Sequence, residues 1–149
     1  MKEIVLTIHI IVASFWIGGM LFMVLVLSPY IRKLPDSITA YKEVGRRYSR
    51  IGTVIGLPLL FITGIINMKN MGFSIHELIS PSNNYTFTLQ HKVLLFLITF
   101  LLALIHDFYL GEKSHESEKL RKITRIVGVL NLIIGIAIIY LATRLRFGG

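Results

Sequence analysis

The sequence predicts an all-α integral membrane protein, built as an antiparallel bundle of four transmembrane helices. Three observations lead to this fold class. Hydrophobic residues make up 54% of the 149 residues and charged residues only 16%, and the mean hydropathy is +0.69. The apolar residues are gathered into four long segments. No segment alternates like a strand, and a lipid bilayer accepts only helices or closed barrels.

Each of the four segments approaches or exceeds the length needed to cross a bilayer. They cover about residues 4–31, 51–68, 89–110 and 123–143, and roughly 20 helical residues span ~30 Å of hydrocarbon. The first segment is too long for a signal peptide, so we expect it to be retained. The whole chain, residues 1–149, is predicted to form a single membrane domain.

The basic residues predict the topology. Eleven of the 16 Lys and Arg residues lie in two connections, 32–50 and 111–125. The positive-inside rule therefore places these connections in the cytoplasm, and both termini and the 69–88 loop outside. The expected location is the cell (inner) membrane. Within the outer loop, Ser74 and Glu77 have capping-box spacing, which predicts a short interfacial helix.

Small residues predict where the helices approach closely. Gly18 and Gly19 are paired in the first segment, and Gly52 and Gly56 in the second have the small-xxx-small spacing of membrane helix contacts. Pro58 follows them and is expected to kink the second helix.

The composition excludes several function classes. The chain has no cysteine, which excludes disulfides, thiolate metal sites and covalently attached haem c. The net charge of +8 is concentrated in the connections, so lipid topology explains it and no nucleic-acid partner is expected. The sequence shows no nucleophile–base constellation, phosphate-binding loop or paired acid site.

Histidines in the apolar segments are the candidate functional residues, because ionisable groups at membrane depth are costly and commonly functional. His9 is placed about 7 Å inside the outer end of the first helix, and His91 about 3 Å inside that of the third. We expect these two to approach each other across the bundle. His106 lies about 22 Å from His91 along the same helix, so it is a weaker metal candidate. Its neighbour Asp107 suggests a proton relay, although adjacent helical side chains point about 100° apart and need not touch.

Haem b or copper would suit these residues. His9 shares a helical face with Trp16, and together they would form a wall for a flat aromatic cofactor. Haem b requires axial ligands and an apolar slot but no cysteine, so His9 and His91 are predicted to be the iron ligands. Lys92 is an alternative, since it could pair with a propionate or, when deprotonated, replace His91. Copper is the second cofactor, because histidine nitrogen could combine with the soft sulfur donors of Met20, Met23, Met68 and Met71.

Three stretches resemble a known membrane family. "IHIIVASFWIGGMLFMVLVLSPYI" is similar to the first helix, and "GRRYSRIGTVIGLPLLFITGIIN" to the second helix, of the CopD-like (copper-resistance protein D) family. "HKVLLFLITFLLALIHDF" resembles the third helix, and also the corresponding helix of the related HemJ-type protoporphyrinogen oxidases, which bind haem. The resemblance implies that His9 and the His91–Lys92 pair hold haem b.

The expected function is therefore that of a haem b-binding membrane protein, a b-type cytochrome in transmembrane or quinol-linked electron transfer. The alternatives are a HemJ-type protoporphyrinogen oxidase and a copper-handling membrane protein, so the question of a haem-dependent oxidoreductase activity is left open. The expected partners are membrane lipid and a quinone or a redox protein. Assembly into a homo-oligomer is also left open.

Overall fold

The computed structural model describes all 149 residues as helices joined by short connections. It is 86% helical and contains no strand, which confirms the predicted fold class. Four helices are long and apolar enough to cross a membrane, and a short one lies between the second and third of them. They are α1 (Lys2–Ile31), α2 (Ser37–Asn70), α3 (Ile75–Ile79), α4 (Asn84–Lys113) and α5 (Glu118–Arg146).

The second helix begins well before the apolar segment predicted at residue 51. Its first part, Ser37–Ser49, is polar overall and carries basic residues, and it starts where the Asp36 carboxylate accepts a hydrogen bond from the Thr39 backbone N–H. Hydropathy marks only the part of a helix that suits hydrocarbon, so it overlooks such a polar extension. The assignment of the whole chain to one domain stays a prediction.

The bundle has two ends, which we name by their contents. The loop end carries the connections 32–36 and 114–117, and the terminal end carries both termini and α3. At the terminal end, the Lys2 Nζ ammonium donates a hydrogen bond to the Asn70 carbonyl (3.1 Å). The prediction that the loop end faces the cytoplasm stays a prediction.

Most of the bundle surface is apolar. Only 18 of 149 residues are buried, and large aliphatic and aromatic side chains are exposed along all four long helices. In water such an apolar surface would drive association, whereas lipid tails cover it without cost. This surface is therefore that of a multi-pass membrane protein.

Glycines let α1 and α2 approach closely. A Cβ atom built on Gly52 would lie 3.4 Å from the Trp16 ring, and one on Gly64 would lie 3.5 Å from Cε1 of His9. A Cβ on Gly135 of α5 would lie 3.7 Å from the same Trp16 ring. The predicted close approach at the glycines of the second helix is thus confirmed, and Trp16 lies between Gly52 of α2 and Gly135 of α5.

Three of the long helices contain a π-helical segment: Met23–Leu27, Arg50–Gly56 and His106–Leu110. The segment of α2 lies at mid-helix, and the other two lie nearer the loop end. Two of the three segments are explained by proline. Pro29 and Pro58 follow closely, and a proline has no N–H to donate to the carbonyl four residues earlier, so the backbone adopts wider turns there. The third segment precedes no proline. π-Helical turns are frequent at functional sites.

The short helix α3 begins with the predicted capping box. The Ser74 side chain accepts from the Glu77 backbone N–H (3.4 Å), and the Glu77 carboxylate accepts from the Ser74 backbone N–H (2.8 Å). The hydrogen bond from the Ser74 backbone N–H lowers the pKa of Glu77 below its ordinary value, and the hydrogen bond from the Ser74 hydroxyl contributes a smaller part. This prediction of a short helix in the 69–88 connection is confirmed.

Candidate functional site

His9 is held against α2 by Thr63. Its Nδ1 atom lies 2.8 Å from Thr63 Oγ1, and the Thr63 hydroxyl lies only 2.6 Å from the Leu59 carbonyl oxygen. A carbonyl oxygen can only accept, so the single hydroxyl proton of Thr63 is donated to Leu59. The His9 Nδ1–H must then donate to Thr63 Oγ1. This tautomer leaves the lone pair on His9 Nε2, and Nε2 has no hydrogen-bond partner within the chain.

Lys92 lies in the half of α4 nearest the terminal end, as His9 does in α1. Its side chain is half-buried, whereas that of the adjacent His91 is exposed. It makes neither a side-chain hydrogen bond nor an ion pair within the chain. An unpaired amine at membrane depth is costly and commonly functional, so Lys92 is a candidate functional group.

Asn67 adds an unsatisfied donor one helical turn from Thr63. Its Nδ2 atom is the one buried side-chain nitrogen or oxygen in the chain without a hydrogen-bond partner. Residues four apart on a helix share a face, so Asn67 continues the side of α2 that contacts His9. We call His9, Thr63, Asn67 and Lys92 the terminal-end cluster, and three of its members offer a free lone pair or donor.

His91 points elsewhere. It is exposed, its ring packs on Phe87 with centroids 4.3 Å apart, and its Nδ1–H donates to the Phe87 carbonyl (2.8 Å). It lines an apolar groove on the outside of α4 and α5, beside Tyr140 and Arg144. The structure therefore does not bring His91 to His9, and of the adjacent pair it is Lys92 that is turned inward.

Trp16 is enclosed by protein rather than placed beside an open slot. Its side chain is 3% exposed and belongs to the hydrophobic core, together with Ile17, Leu57, Leu60 and Ala103. Gly52 and Gly135 contact its ring from the neighbouring helices. Its contacts are those of a core residue, and the prediction that it lines a cofactor stays untested.

At the loop end, His106 and Asp107 do touch. His106 Nδ1 lies 2.7 Å from Asp107 Oδ1, and the Thr53 hydroxyl of α2 donates to Asp107 Oδ2. His106, the weaker metal candidate, is thus hydrogen-bonded to a carboxylate. It lies at the end of the bundle opposite the terminal-end cluster.

The sulfur donors considered for copper are dispersed. Met20 contacts α5 near Gly135, and Met68 is buried in α2. Met71 is exposed and its sulfur accepts a contact from the Tyr85 hydroxyl (3.4 Å). No group of three or more His, Asp or Glu side chains is close enough together to hold a metal ion.

Sequence reasoning overlooked Thr53, Thr63 and Asn67. The signal that would have found the latter two is present in "LFITGIINM", where the only polar side chains within an apolar run are spaced four apart. Such spacing puts both on one face, and polar groups at membrane depth face the bundle interior.

Comparison with known proteins identifies the family. The family model described as copper resistance protein D (CopD) matches residues 42–145. This chain belongs to the CopD family. The CopD match includes Lys92, His106 and Asp107 and begins after α1, so His9 lies before it.

A relative covers the full length, including α1. An uncharacterized protein of Aquifex aeolicus (strain VF5) is 38% identical over 149 residues, which is 99% of this chain and 97% of the relative. No solved structure matches. The relation to the HemJ-type oxidases stays a prediction.

Proposed function

We propose that this CopD-family protein binds haem b near the terminal end of the bundle and acts as a b-type cytochrome in membrane electron transfer. The observation that carries the proposal is the free Nε2 lone pair of His9, fixed in place by the donation from Nδ1 to Thr63. Histidine ligands of metals commonly donate their other ring N–H to a fixed acceptor.

The nitrogen donors of the terminal-end cluster suit haem b. His9 offers an imidazole nitrogen, and Lys92 offers an amine that has no partner of its own. As a neutral amine Lys92 would be a second nitrogen ligand, and as an ammonium it would pair with a propionate. Asn67 Nδ2 is a buried donor suited to a carboxylate oxygen. When bound, haem supplies reversible one-electron transfer.

The residues of the chain would orient the haem and keep water from it. Thr63 fixes the tautomer and ring orientation of His9, because its hydroxyl proton is committed to Leu59. The rings of Phe61 and Phe96 stack with their centroids 6.1 Å apart, which brings aromatic surface from α2 and α4 together. Phe61 precedes Thr63 by two residues on α2. An apolar surrounding of this kind controls solvent access and redox potential.

The test is the visible spectrum of the purified protein, oxidised and reduced. Wild type from haem-replete cells should show a Soret band and a reduced α-band. His9→Ala should abolish both, whereas His115→Ala, in the exposed loop-end connection, should leave them unchanged. Absence of both bands in the wild type would refute the proposal.

The second ligand is decided by a pair of neighbouring substitutions. Since Lys92 is turned inward and His91 outward, we expect Lys92→Ala to change the spectrum and His91→Ala to retain it. A spectrum that is lost in His91→Ala and kept in Lys92→Ala would restore the bis-histidine assignment predicted from the sequence.

Copper handling is the second candidate, and the description of the family model favours it. Cu(I) prefers nitrogen and soft sulfur donors. Metal analysis of the purified protein separates the two candidates. Copper at one equivalent without haem iron, together with reduced copper tolerance on deletion of the gene, would favour copper over haem.

A further inference from the structure

The Asp107 carboxylate is buried within the loop-end half of the bundle. Its side chain is 9% exposed, and both of its oxygens are engaged, Oδ1 by His106 Nδ1 at 2.7 Å and Oδ2 by the Thr53 hydroxyl. Thr53 itself is buried. Two side chains, one from each of two helices, therefore meet on one acid at membrane depth, where an ionisable residue is usually functional.

The π-helical segment His106–Leu110 explains why adjacent residues meet. On an α-helix, neighbouring side chains diverge by about 100°. A π turn contains more residues, so successive side chains diverge less, and the imidazole of His106 can turn onto the carboxylate of Asp107. The segment precedes no proline, so the missing N–H that accounts for the other two π segments does not account for this one.

The geometry also fixes the tautomer of His106. A carboxylate oxygen accepts, so Nδ1–H of His106 donates to Asp107 and the Nε2 lone pair is left free. Nε2 faces Gly128 of α5, where a Cβ atom would lie 3.3 Å away. The His106 side chain is 30% exposed and that of Asp107 only 9%, so the imidazole is the accessible member of the pair and the acid behind it is enclosed.

The other charges near this pair lie on the exposed surface: Arg121, Lys122 and Arg125 of α5, and Arg50 of α2. From α2 the neighbours are Thr53 and Tyr48, and the Tyr48 hydroxyl is committed to the Trp16 carbonyl. The part of α1 at this end carries no ionisable side chain except the exposed Tyr30. The other ion pair of the chain, Arg46 with Glu112, lies on the exposed surface. Asp107 therefore has His106 as its one ionic partner.

We propose that His106 and Asp107 form a proton-binding dyad that exchanges a proton with water at the loop end of the bundle. His106 Nε2 takes up or releases the proton, the Asp107 carboxylate orients the imidazole and stabilises its charged form, and Thr53 positions the carboxylate. The chemistry is that of a general acid–base histidine oriented by a buried acid. It uses neither the terminal-end cluster nor a cofactor, so it stands or falls independently of haem binding.

The experiment is a pH titration of the full-length protein in lipid nanodiscs, followed by NMR of ¹⁵N-labelled histidine side chains. His106→Gln assigns the His106 signal. The titration covers about pH 5 to 9, and the proposal requires a reversible change of protonation at Nε2 while Nδ1 stays protonated throughout. Asp107→Asn should move its midpoint by about one pH unit or more, a tenfold change in proton affinity. The control is Glu112→Gln, an exposed acid of the same helix end, which should leave the midpoint unchanged.

A purely structural hydrogen bond would give a different result. A His106 signal that stays in one protonation state over this range would overturn the proposal, as would a midpoint that is the same in Asp107→Asn and wild type. Should Asp107→Asn fail to fold, Thr53→Val provides the same comparison, because it removes one hydrogen bond from the carboxylate and retains its charge. A midpoint unchanged by Thr53→Val would then count as the refuting result.

Discussion

Replacing Gly19 with alanine should destabilise the bundle, whereas the same change at Gly18 should not. A Cβ atom on Gly19 would lie 2.8 Å from Tyr48 Oη and 2.9 Å from Cζ, and closer still to Cε2. Gly18 has no atom within 4 Å of such a Cβ. The two glycines are adjacent on α1, so they form a matched pair.

The magnitude follows from the contacts of Tyr48. Carbon atoms pack at about 3.5–4.0 Å, so Cζ would have to move by roughly 0.6–1.1 Å and Cε2 by more. The Tyr48 hydroxyl would then release the Trp16 carbonyl to which it now donates. Overpacking costs about 1–3 kcal/mol and the lost hydrogen bond about 1 kcal/mol. The higher helix propensity of alanine than of glycine offsets ~1 kcal/mol of this cost. The net loss for Gly19→Ala is therefore ~1–3 kcal/mol, against a gain of up to ~1 kcal/mol for Gly18→Ala.

The assay is equilibrium unfolding of the purified protein in mixed micelles, monitored by circular dichroism. The double variant Gly19→Ala/Tyr48→Ala tests the cause, because removing the ring removes the clash and the added cost of the alanine should disappear. Equal stability of Gly18→Ala and Gly19→Ala would refute the reasoning, since only one of the two sites has a neighbouring side chain.

Three further predictions concern polar groups. Thr63→Val removes the acceptor of His9 Nδ1–H and should lower haem affinity about 10- to 100-fold in a haem titration, while Thr63→Ser should restore it; equal affinities would show that the tautomer is not fixed in this way. Thr99→Val should cost about 1–3 kcal/mol of unfolding free energy, because it leaves the buried Asn131 Oδ1 without its hydroxyl donor. Adding Asn131→Leu should recover part of that loss, and strict additivity in the cycle would contradict the coupling. The pKa of Glu77 is lowered from an ordinary value of 4.5, so its capping of α3 is fully present above that pH and is lost as the pH falls through the lower folded value. The amide NMR shift of Glu77 should report this transition, and a transition that persists unchanged in Ser74→Ala would contradict it.

Hydropathy was sufficient to predict the fold because each long helix has a wide apolar surface. It did not predict the start of the second helix, since Ser37–Ser49 is polar and amphipathic and does not resemble a membrane span. The π segments were also unforeseen. Two of them follow from Pro29 and Pro58 by a local rule, whereas no proline follows the third.

The depth of the candidate residues was easier to predict than their rotation about the helix axis. Depth follows from counting residues, whereas a single step along a helix turns a side chain by about 100°. For this reason His91 was expected to face the interior of the bundle. In the structure His91 is exposed, and the adjacent Lys92 faces inward. A helical pattern in the sequence supports that rotation, because Lys92 shares a face with Thr99 and Ala103, which are small and buried.

Trp16 is the only tryptophan of the chain, and it lies where α1, α2 and α5 meet. Its indole contacts Gly52 and Gly135, so any separation of these helices changes the environment of the ring. The protein thus contains a single native fluorophore at the centre of its bundle. It lies seven residues, or about 10 Å along the helix, from His9. A haem bound there would quench its emission by energy transfer, so the fluorescence of one residue would report both helix separation and loading of the site.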